Sequence, residues 1–392
     1  MKILFLAPQP FFVERGTPIA INLLLKRLSS RGDSIDLLTY HLGANVTYQG
    51  LRIHRIINLP FIRNIPPGFS FQKVVCDIFL IPKVISLALR DHYDIIHAVE
   101  ESVFLAYLVK KVFGSPYIYD MDSRLSTQLL DKYPALQLFQ SLFFFIEKLA
   151  ITNAVVVVPV CEALSEEIND YAPGRVVILH DVPQPGIGPN NPATSPVGNP
   201  KIGGTLLMYV GNLEPYQGID LLLDSFSLLG DNETIHLVII GGTEDQVCKY
   251  KQKSESLGIA SKVQFLGKKP IANLPGYLSN ADILVSPRVN GNNTPMKIYS
   301  YMASGKPILA TKIKTHTQIL DDTTALLVDP NPEEFAGGMI RLAQDEQLGE
   351  RLASRARDLV EEKYSQQSFQ KKVDEIYDLL NVESFYASPR SD

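Results

Sequence analysis

"TPMKIYSYMASGKPILAT", residues 294–311, sets a Thr-Pro pair, a lysine, a short amphipathic run, a glycine and a second proline in close succession. The order predicts a helix that starts at the Thr-Pro pair. A threonine hydroxyl can accept from the orphan N–H groups of a first turn, and a proline there has no N–H to leave unpaired. Met296, Tyr299, Met302 and Ala303 recur at helical spacing, and Gly305 followed by Pro307 ends the helix before the apolar run ILAT. Upstream, "ADILVSPR" (281–288) reads as a buried strand, so the unit is strand, loop "RVNGNN", helix, strand. In open α/β sheets ligands sit beyond the carboxyl ends of strands, where helix N-termini aim N–H groups at anions. Lys297 falls in the first turn of such a helix, where a cation opposes the helix dipole unless an anion offsets it. We therefore expect Lys297, with Arg288 at the preceding strand's end, to face a phosphate.

The same alternation runs along the chain. Apolar runs "KILFLAP", "SIDLLTY", "YDIIHAV", "PYIYD", "AVVVVPV" and "RVVILH" are separated by helical stretches; after residue 204 follow "TLLMYVG", "IHLVIIGG", "KVQFLG", "ADILVSP", "KPILAT" and "ALLVD". Between the two sets, residues 181–204 hold six prolines and five glycines and read as a linker. Strands alternating with helices, twice over, predict an α/β protein of two Rossmann-like, doubly wound parallel-sheet domains facing a cleft. A second Thr-Pro pair supports this: after the first strand, Gly16, Thr17 and Pro18 open a helix carrying Ile19, Leu23, Leu24 and Leu28. Each domain would then offer a helix N-terminus to a diphosphate.

Composition narrows the partners. The 392 residues are 45% hydrophobic and 20% charged with a net charge of −5, and residues 1–180 carry 17 Lys and Arg against 16 Asp and Glu. A chain without basic excess does not read as a nucleic-acid binder. Cys76, Cys161 and Cys248 have no metal or redox spacing and fit a reducing compartment. "MKILFLAP" reads as a first buried strand and not as a secretory leader. The most apolar region, "LQLFQSLFFFIEKLAITNAVVVVPV" (136–160), is interrupted by Glu147 and Lys148 and turns β-branched, so it reads as a helix followed by a strand, not a membrane span. The aromatic stretches "PPGFSFQKVVCDIFL" and "LFQSLFFFIEKL" are read chiefly as core, with peripheral contact to a membrane or lipid-linked acceptor as the other reading.

With these segments in place, the chain resembles the GT-B-fold retaining glycosyltransferases of the large GT4 family, glycosyl transferases group 1, over most of its length and most strongly in residues 205–330. "YVGNLEPYQGIDLLLDSF" looks like the family's strand, glycine loop and helix, "LVIIGG" and "VQFLGKKPIANLPGYLSNADILVSP" like its nucleoside-binding strands, and "NTPMKIYSYMASGKPILAT" like its donor helix. The resemblance implies an acceptor domain over 1–182, a linker over 183–204, a nucleotide-sugar domain over 205–373, and a helix with tail over 374–392 that crosses back. It implies transfer of a hexosyl group from a nucleoside-diphosphate sugar to a glycan, lipid-linked or small-molecule acceptor, with retention, no cofactor and no metal. The setting would be cytoplasmic or peripheral at the inner membrane face. Donor contacts would fall on Gly16, Thr17, Gly211, Asn212, Gln217, Gly242, Gly267, Lys268, Asn292, Thr294, Pro295, Met296 and Ser300. The chain departs from the family in having Asn212 and Gln217 where members usually carry Arg and Lys. Asn292 and Ser300 stand where they usually carry two glutamates, and Val99 where they often carry a histidine.

Retaining transfer of this kind needs no protein nucleophile when the leaving diphosphate takes the acceptor proton, so the protein supplies position and charge stabilisation. We expect Lys297 and Arg288 to supply the charge and Glu100, directly after the strand "DIIHAV", to orient the reacting hydroxyl. His97, Glu101, Asp120 and Asp122 are the acceptor candidates; "YDMDS" holds Asp120 and Asp122 in a D-x-D pattern that we read as acceptor contact, not as a metal site. Two rivals remain: a nucleotide-sugar epimerase on the same fold, and a catalytically degenerate sugar-nucleotide-binding subunit. A nicotinamide dehydrogenase is disfavoured because neither "APQPFFVERG" nor "VIIGGTEDQ" contains G-x-G-x-x-G.

Overall fold

Among the described residues most of the apolar runs become strands of two parallel sheets, six strands in each. The computed structural model describes residues 1–66, 68–188, 204–230 and 234–386. It divides the chain into one unit of Met1–His180 with Phe369–Asp392 and another of Asp181–Ser368. The linker expected at 183–204 falls largely on 189–203, outside the described residues.

The first unit runs β1 (Lys2–Ala7), α1 (Gly16–Ser30), β2 (Ser34–Thr39), β3 (Leu51–Arg55), α2 (Phe71–Arg90), β4 (Ile95–Val99), α3 (Ser102–Phe113), β5 (Tyr117–Met121), α4 (Leu125–Lys132), a 3-10 turn Pro134–Phe139, α5 (Gln140–Asn153), β6 (Val156–Pro159) and α6 (Glu162–Ile168). Its strand order β3-β2-β1-β4-β5-β6 reverses direction between β1 and β4, the switch point of a doubly wound sheet. One face of the sheet, through Leu4, Leu6, Ile96, Ala98, Tyr117 and Tyr119, packs under the buried stripe Cys76, Leu80 and Val84 of α2 and under α3 and α5.

Two elements differ from the sequence reading. β3, "LRIHR", has no apolar run. It forms because Arg52 reaches the buried Asp36 of β2 through both Nε and Nη2 (2.8 Å each) and His54 Nε2 meets the same carboxylate at 2.9 Å. Conversely "RVVILH", expected as a strand, lies extended beside β6, with Val177 N donating to Val157 O and Leu179 N to Pro159 O, and makes an isolated bridge.

The second unit runs β7 (Thr205–Val210), α7 (Ile219–Ser227), β8 (Ile235–Ile240), α8 (Glu244–Ser256), β9 (Val263–Gly267), α9 (Leu274–Asn280), β10 (Ile283–Ser286), α10 (Met296–Ser304), β11 (Ile308–Thr311), α11 (Lys314–Thr317), β12 (Leu326–Val328), α12 (Pro332–Gln344) and α13 (Glu346–Lys363). Its order, β12-β11-β10-β7-β8-β9, repeats the first sheet's plan, with β7 and β10 at the switch point. The final helix, α14 (Gln366–Tyr386), belongs with the first unit from Phe369 onward. Asp374 accepts from Arg27 Nε (2.9 Å) and Arg31 Nη1 (3.0 Å) of α1, and Tyr377 OH bonds His97 Nδ1 at 2.8 Å.

The loops at the carboxyl edge of the second sheet approach backbone to backbone. Gly218, at φ +73, caps α7 so near the end of β10 that an added Cβ would lie 1.9 Å from Pro287 O, whereas Gly258, at the same φ, faces open space. Gly258→Ala should cost about 1 kcal/mol of stability from backbone strain alone. Gly218→Ala should cost roughly 3 kcal/mol or more, because backbone must move as well. Urea melts of the two variants check the difference.

Candidate active site

At the switch point of the second sheet, β10 ends in Arg288 and α10 begins beside it. The helix starts later than the sequence suggested. Pro295 is the N-cap, α10 begins at Met296, and the expected Thr294 cap is not made: Thr294 Oγ1 is buried without a hydrogen-bond partner. The reason is the proline, whose extended φ −65, ψ 124 conformation turns the chain at the cap position itself and carries Thr294 out of reach of the first turn. At the other Thr-Pro pair, α1 begins at Gly16, so Thr17 and Pro18 lie inside the first turn.

Lys297 remains in the first turn of α10 and turns toward β7. Its Nζ donates to Gln217 Oε1 at 2.8 Å and sits 4.0 Å from the centroid of the Tyr209 ring. It also stands next to Gly211, where an added Cβ would lie 3.4 Å from it. Arg288, 6% exposed, donates from Nε to Asn290 O (2.7 Å) and from Nη2 to Asn293 Oδ1 (3.1 Å), with its guanidinium 5.2 Å from the Tyr216 ring centroid. Both cations thus hold neutral oxygens and aromatic faces, and neither makes a salt bridge with a described carboxylate. Burial holds the Lys297 ammonium well below its ordinary pKa, and the neighbouring Arg288 charge pushes the same way.

Around them the other expected donor residues take definite places. Asn212 lies on the β7 loop, its amide reaching Tyr216 OH at 3.4 Å while its carbonyl accepts from Tyr209 OH at 2.6 Å. Gly242 follows β8 beside Leu213, Gly267 closes β9 with its carbonyl accepting from Gly241 N, and Lys268 is exposed just beyond. Asn292 is exposed, its carbonyl accepting from Gln318 Nε2 at 3.0 Å. Ser300 is buried and its Oγ accepts the backbone N–H of Gln184 at 3.2 Å, while Gln184 Nε2 meets Met296 Sδ at 3.6 Å. The hydroxyl that stands in a glutamate's position is therefore engaged by the chain itself.

The carboxyl edge of the first sheet is lined by carboxyls instead. Glu100 follows β4 in the left-handed region (φ 50), and its carboxylate accepts from Ser123 Oγ at 3.0 and 2.9 Å. Glu101 pairs with Lys73 of α2 at 2.5 Å, and Tyr40 OH donates to Asp77 at 2.5 Å. Asp122 is bonded by Thr17 from the first turn of α1, leaving its Oδ2 buried without a partner. Burial and the charges of Asp122 and Glu101 push the Glu100 carboxyl well above its usual range. Asp122 is pushed up to about 7, by burial first and then by Asp120.

Asp120 adjoins this group through Asp122 and links it to His97. The His97 ring is 1% exposed, bonded at Nε2 to Asp120 of β5 (3.1 Å) and at Nδ1 to Tyr377 of α14, and stacked on Phe5 at 4.3 Å, so one nitrogen ties it to the neighbouring strand and the other to α14. Sequence reasoning missed Tyr209, Tyr216 and Lys73. A signal existed for Lys73: like Lys297 it is a cation in the first turn of a helix, after the N-cap Ser70. Tyr209 gave none, being one apolar position among several in β7. Among the described residues no group of three or more His, Cys, Asp or Glu is placed to hold a metal ion.

This architecture is the GT-B fold. Residues 194–359 match the family described as glycosyl transferases group 1. The phosphatidyl-myo-inositol mannosyltransferase of Mycobacterium leprae is 25% identical over 161 residues, 40% of this chain and 42% of that protein. The chain thus matches about two fifths of that relative's length. The sucrose-phosphate synthase of Thermosynechococcus elongatus superposes with a TM-score of 0.80 at 17% identity, over 97% of this chain and 99% of its own. HepE of Anabaena, solved with UDP, gives 0.74 at 18% identity over 97% and 100%.

The raised carboxyls set a pH dependence. A group whose pKa is higher folded than unfolded stabilises the fold below its unfolded pKa, and that contribution is lost as pH rises through the folded value. For Asp122 the window runs from about 4 to about 7. Asp122→Asn should therefore melt at a higher temperature than the unsubstituted protein at pH 8 and gain nothing at pH 4. Melting curves across that range check it.

Proposed function

We propose that the chain is a retaining glycosyltransferase that binds a nucleoside-diphosphate sugar at the second unit and directs its hexosyl group to a hydroxyl held at the first. One observation carries this reading: two desolvated cations, Lys297 and Arg288, converge at the end of β10 and the start of α10 with neutral partners only. Buried charge without a counter-charge costs several kcal/mol unless a ligand supplies it. A diphosphate is the anion whose size and charge suit two cations at a sheet's switch point. The UDP bound by HepE supports the nucleotide. The mannosyltransferase relative, by name, glycosylates an inositol lipid, which supports a hydroxyl-bearing acceptor.

In this reading Lys297 and Arg288 stabilise charge on the departing diphosphate, in place of the cations that Asn212 and Gln217 do not provide. Gln217 instead fixes the ammonium through its amide oxygen. The start of α10 and the glycine turns at Gly211, Gly242 and Gly267 let backbone approach the nucleotide. With Ser300 occupied by Gln184, the ribose relies on other contacts. Glu100, whose carboxyl burial and the neighbouring acids push well above its usual range, and Asp122, whose Oδ2 is buried without a partner, receive acceptor hydroxyls. The cations do the work assigned elsewhere to a divalent metal, so turnover needs none. The three cysteines are free, which fits a cytoplasmic setting. The epimerase and the degenerate binding subunit lose ground to the acidic acceptor edge, which neither requires.

UDP should raise the melting temperature in the presence of a chelator. Stabilisation that appears only on adding Mn²⁺ would contradict the metal-free site. Lys297→Ala should lower kcat/KM by roughly 10²–10³, the scale of one preorganised donor, while the ligand-free protein keeps or gains stability because a desolvated charge is gone. Arg288→Ala should behave alike, and the double variant should lose less than the two single effects multiplied, since both act on one leaving group.

A further inference from the structure

The outer surface of the first unit's helix layer is apolar where a solvated surface is ordinarily polar. Along α2 a stripe of Phe71, Ile78, Ile81, Ile85 and Leu89 lies exposed, opposite the buried stripe Cys76, Leu80, Val84 and Leu87. Phe71 is 78% and Leu89 69% exposed. α3 adds Leu108 and Val112. The stretch Pro134–Asn153 adds Leu138, at 92%, with Phe139, Leu142, Phe145 and Ile146. α2 packs beside α3 and α3 beside α5. The Phe69 ring meets Tyr133 edge-on at 5.7 Å and Lys132 Nζ bonds Phe69 O at 2.5 Å, which joins the two ends of the layer. The result is one continuous apolar face, beyond the scatter of single exposed residues that needs no explanation. The expectation that these stretches are chiefly core is corrected accordingly.

α5 is inverted. Its glutamate points inward: Glu147, 1% exposed, accepts from Ser126 N (3.1 Å), Ser126 Oγ (2.6 Å) and Arg124 Nε (3.3 Å), while the phenylalanine side faces out. Pro134–Asn153 is long and apolar enough to cross a membrane, with 17% of its most apolar window buried. The inward Glu147, Ala150 and Ile151 tie it to the unit instead, as in a helix that lies along an interface.

Charge selects the occupant. These helices carry Lys73, Lys83, Arg90, Lys110, Lys111 and Lys148 against two acids, Asp77 and Glu147, and both acids are turned inward onto Tyr40, Arg124 and Ser126. Lys73 is held by Glu101 and Lys110 by Asn153 O, so in a chain of net charge −5 this face leaves Lys83, Arg90, Lys111 and Lys148 beside the exposed hydrocarbon. A second copy of the same face would bring like charges together, whereas anionic headgroups over acyl chains match both features.

We propose that the joined outer faces of α2, α3 and Pro134–Asn153 dock on an anionic lipid bilayer. Lys73, two residues beyond the exposed Phe71, is the residue that pairs with Glu101. The docked unit therefore brings its carboxylate edge near the headgroups, where a lipid-anchored acceptor would enter; that corollary rests on the transferase reading, and the docking does not.

The test is flotation of the whole chain with phosphatidylcholine vesicles, with and without phosphatidylglycerol. The protein should float with the phosphatidylglycerol vesicles and be released by salt. The triple variant Leu138→Gln, Leu142→Gln, Phe145→Gln should bind about tenfold or more weakly, with its stabilisation by UDP unchanged. Lys83→Ala with Arg90→Ala and Lys111→Ala should weaken binding and flatten its salt dependence. No flotation with either vesicle, equal flotation of the triple variant, or a dimer in solution that the triple variant abolishes would each overturn the proposal. Loss of UDP stabilisation with flotation intact would count against the transferase reading alone.

Discussion

Two positive charges, on Lys297 and Arg288, stand at the end of one parallel sheet with no acid beside them among the described residues. Much of the second unit is arranged around keeping them there. Gln217 is placed by the turn that Gly218 permits, and its amide oxygen takes the ammonium at 2.8 Å. Tyr209 offers the same ammonium a π face, while its own hydroxyl is held by Asn212 O. The loop 289–293 folds back so that its own oxygens satisfy the guanidinium. Such neutral partners recover part of the desolvation cost and leave the electrostatic demand for an anion intact. An acid in the same place would satisfy the charges and close the site.

The first unit shows what the same topology gives with other residues at the same edge. At its switch point stand Glu100 and Asp122 with Lys73 as the nearby cation, and the carboxyls are forced toward their neutral forms. An edge of that kind accepts or donates hydrogen bonds with hydroxyls. Cations at one edge and hydrogen-bonding carboxyls at the equivalent edge are what a transfer between a diphosphate-linked donor and an alcohol calls for, which is why the transferase reading explains both units.

Much of the architecture was legible because parallel strands buried on both faces read as continuous apolar runs, as in "ILFLA" and "LVII". Failures came where something other than apolar periodicity decides structure. β3 is fixed by Arg52 and His54 on one buried aspartate, a long-range pairing no local pattern encodes. Lys297 was found from its opposition to a helix dipole, but its partners Gln217 and Tyr209 lie 80 and 88 positions earlier in the chain, where nothing local marks them. The phenylalanines of α5 were misread because periodicity tells that a helix has an apolar side, not which way that side faces. Here Glu147, by finding Arg124 and Ser126, turns it outward.

The central claim is that a diphosphate supplies the charge missing beside Lys297. An anion placed there raises the lysine's depressed pKa toward its ordinary value, so binding must be accompanied by proton uptake. Calorimetric titration of UDP into the protein at one alkaline pH, in two buffers of different ionisation enthalpy, measures that uptake directly. The heats should differ between the buffers in the sense of protons taken up, with no such difference for Lys297→Met. Equal heats in both buffers, or an uptake that persists in Lys297→Met, would contradict it.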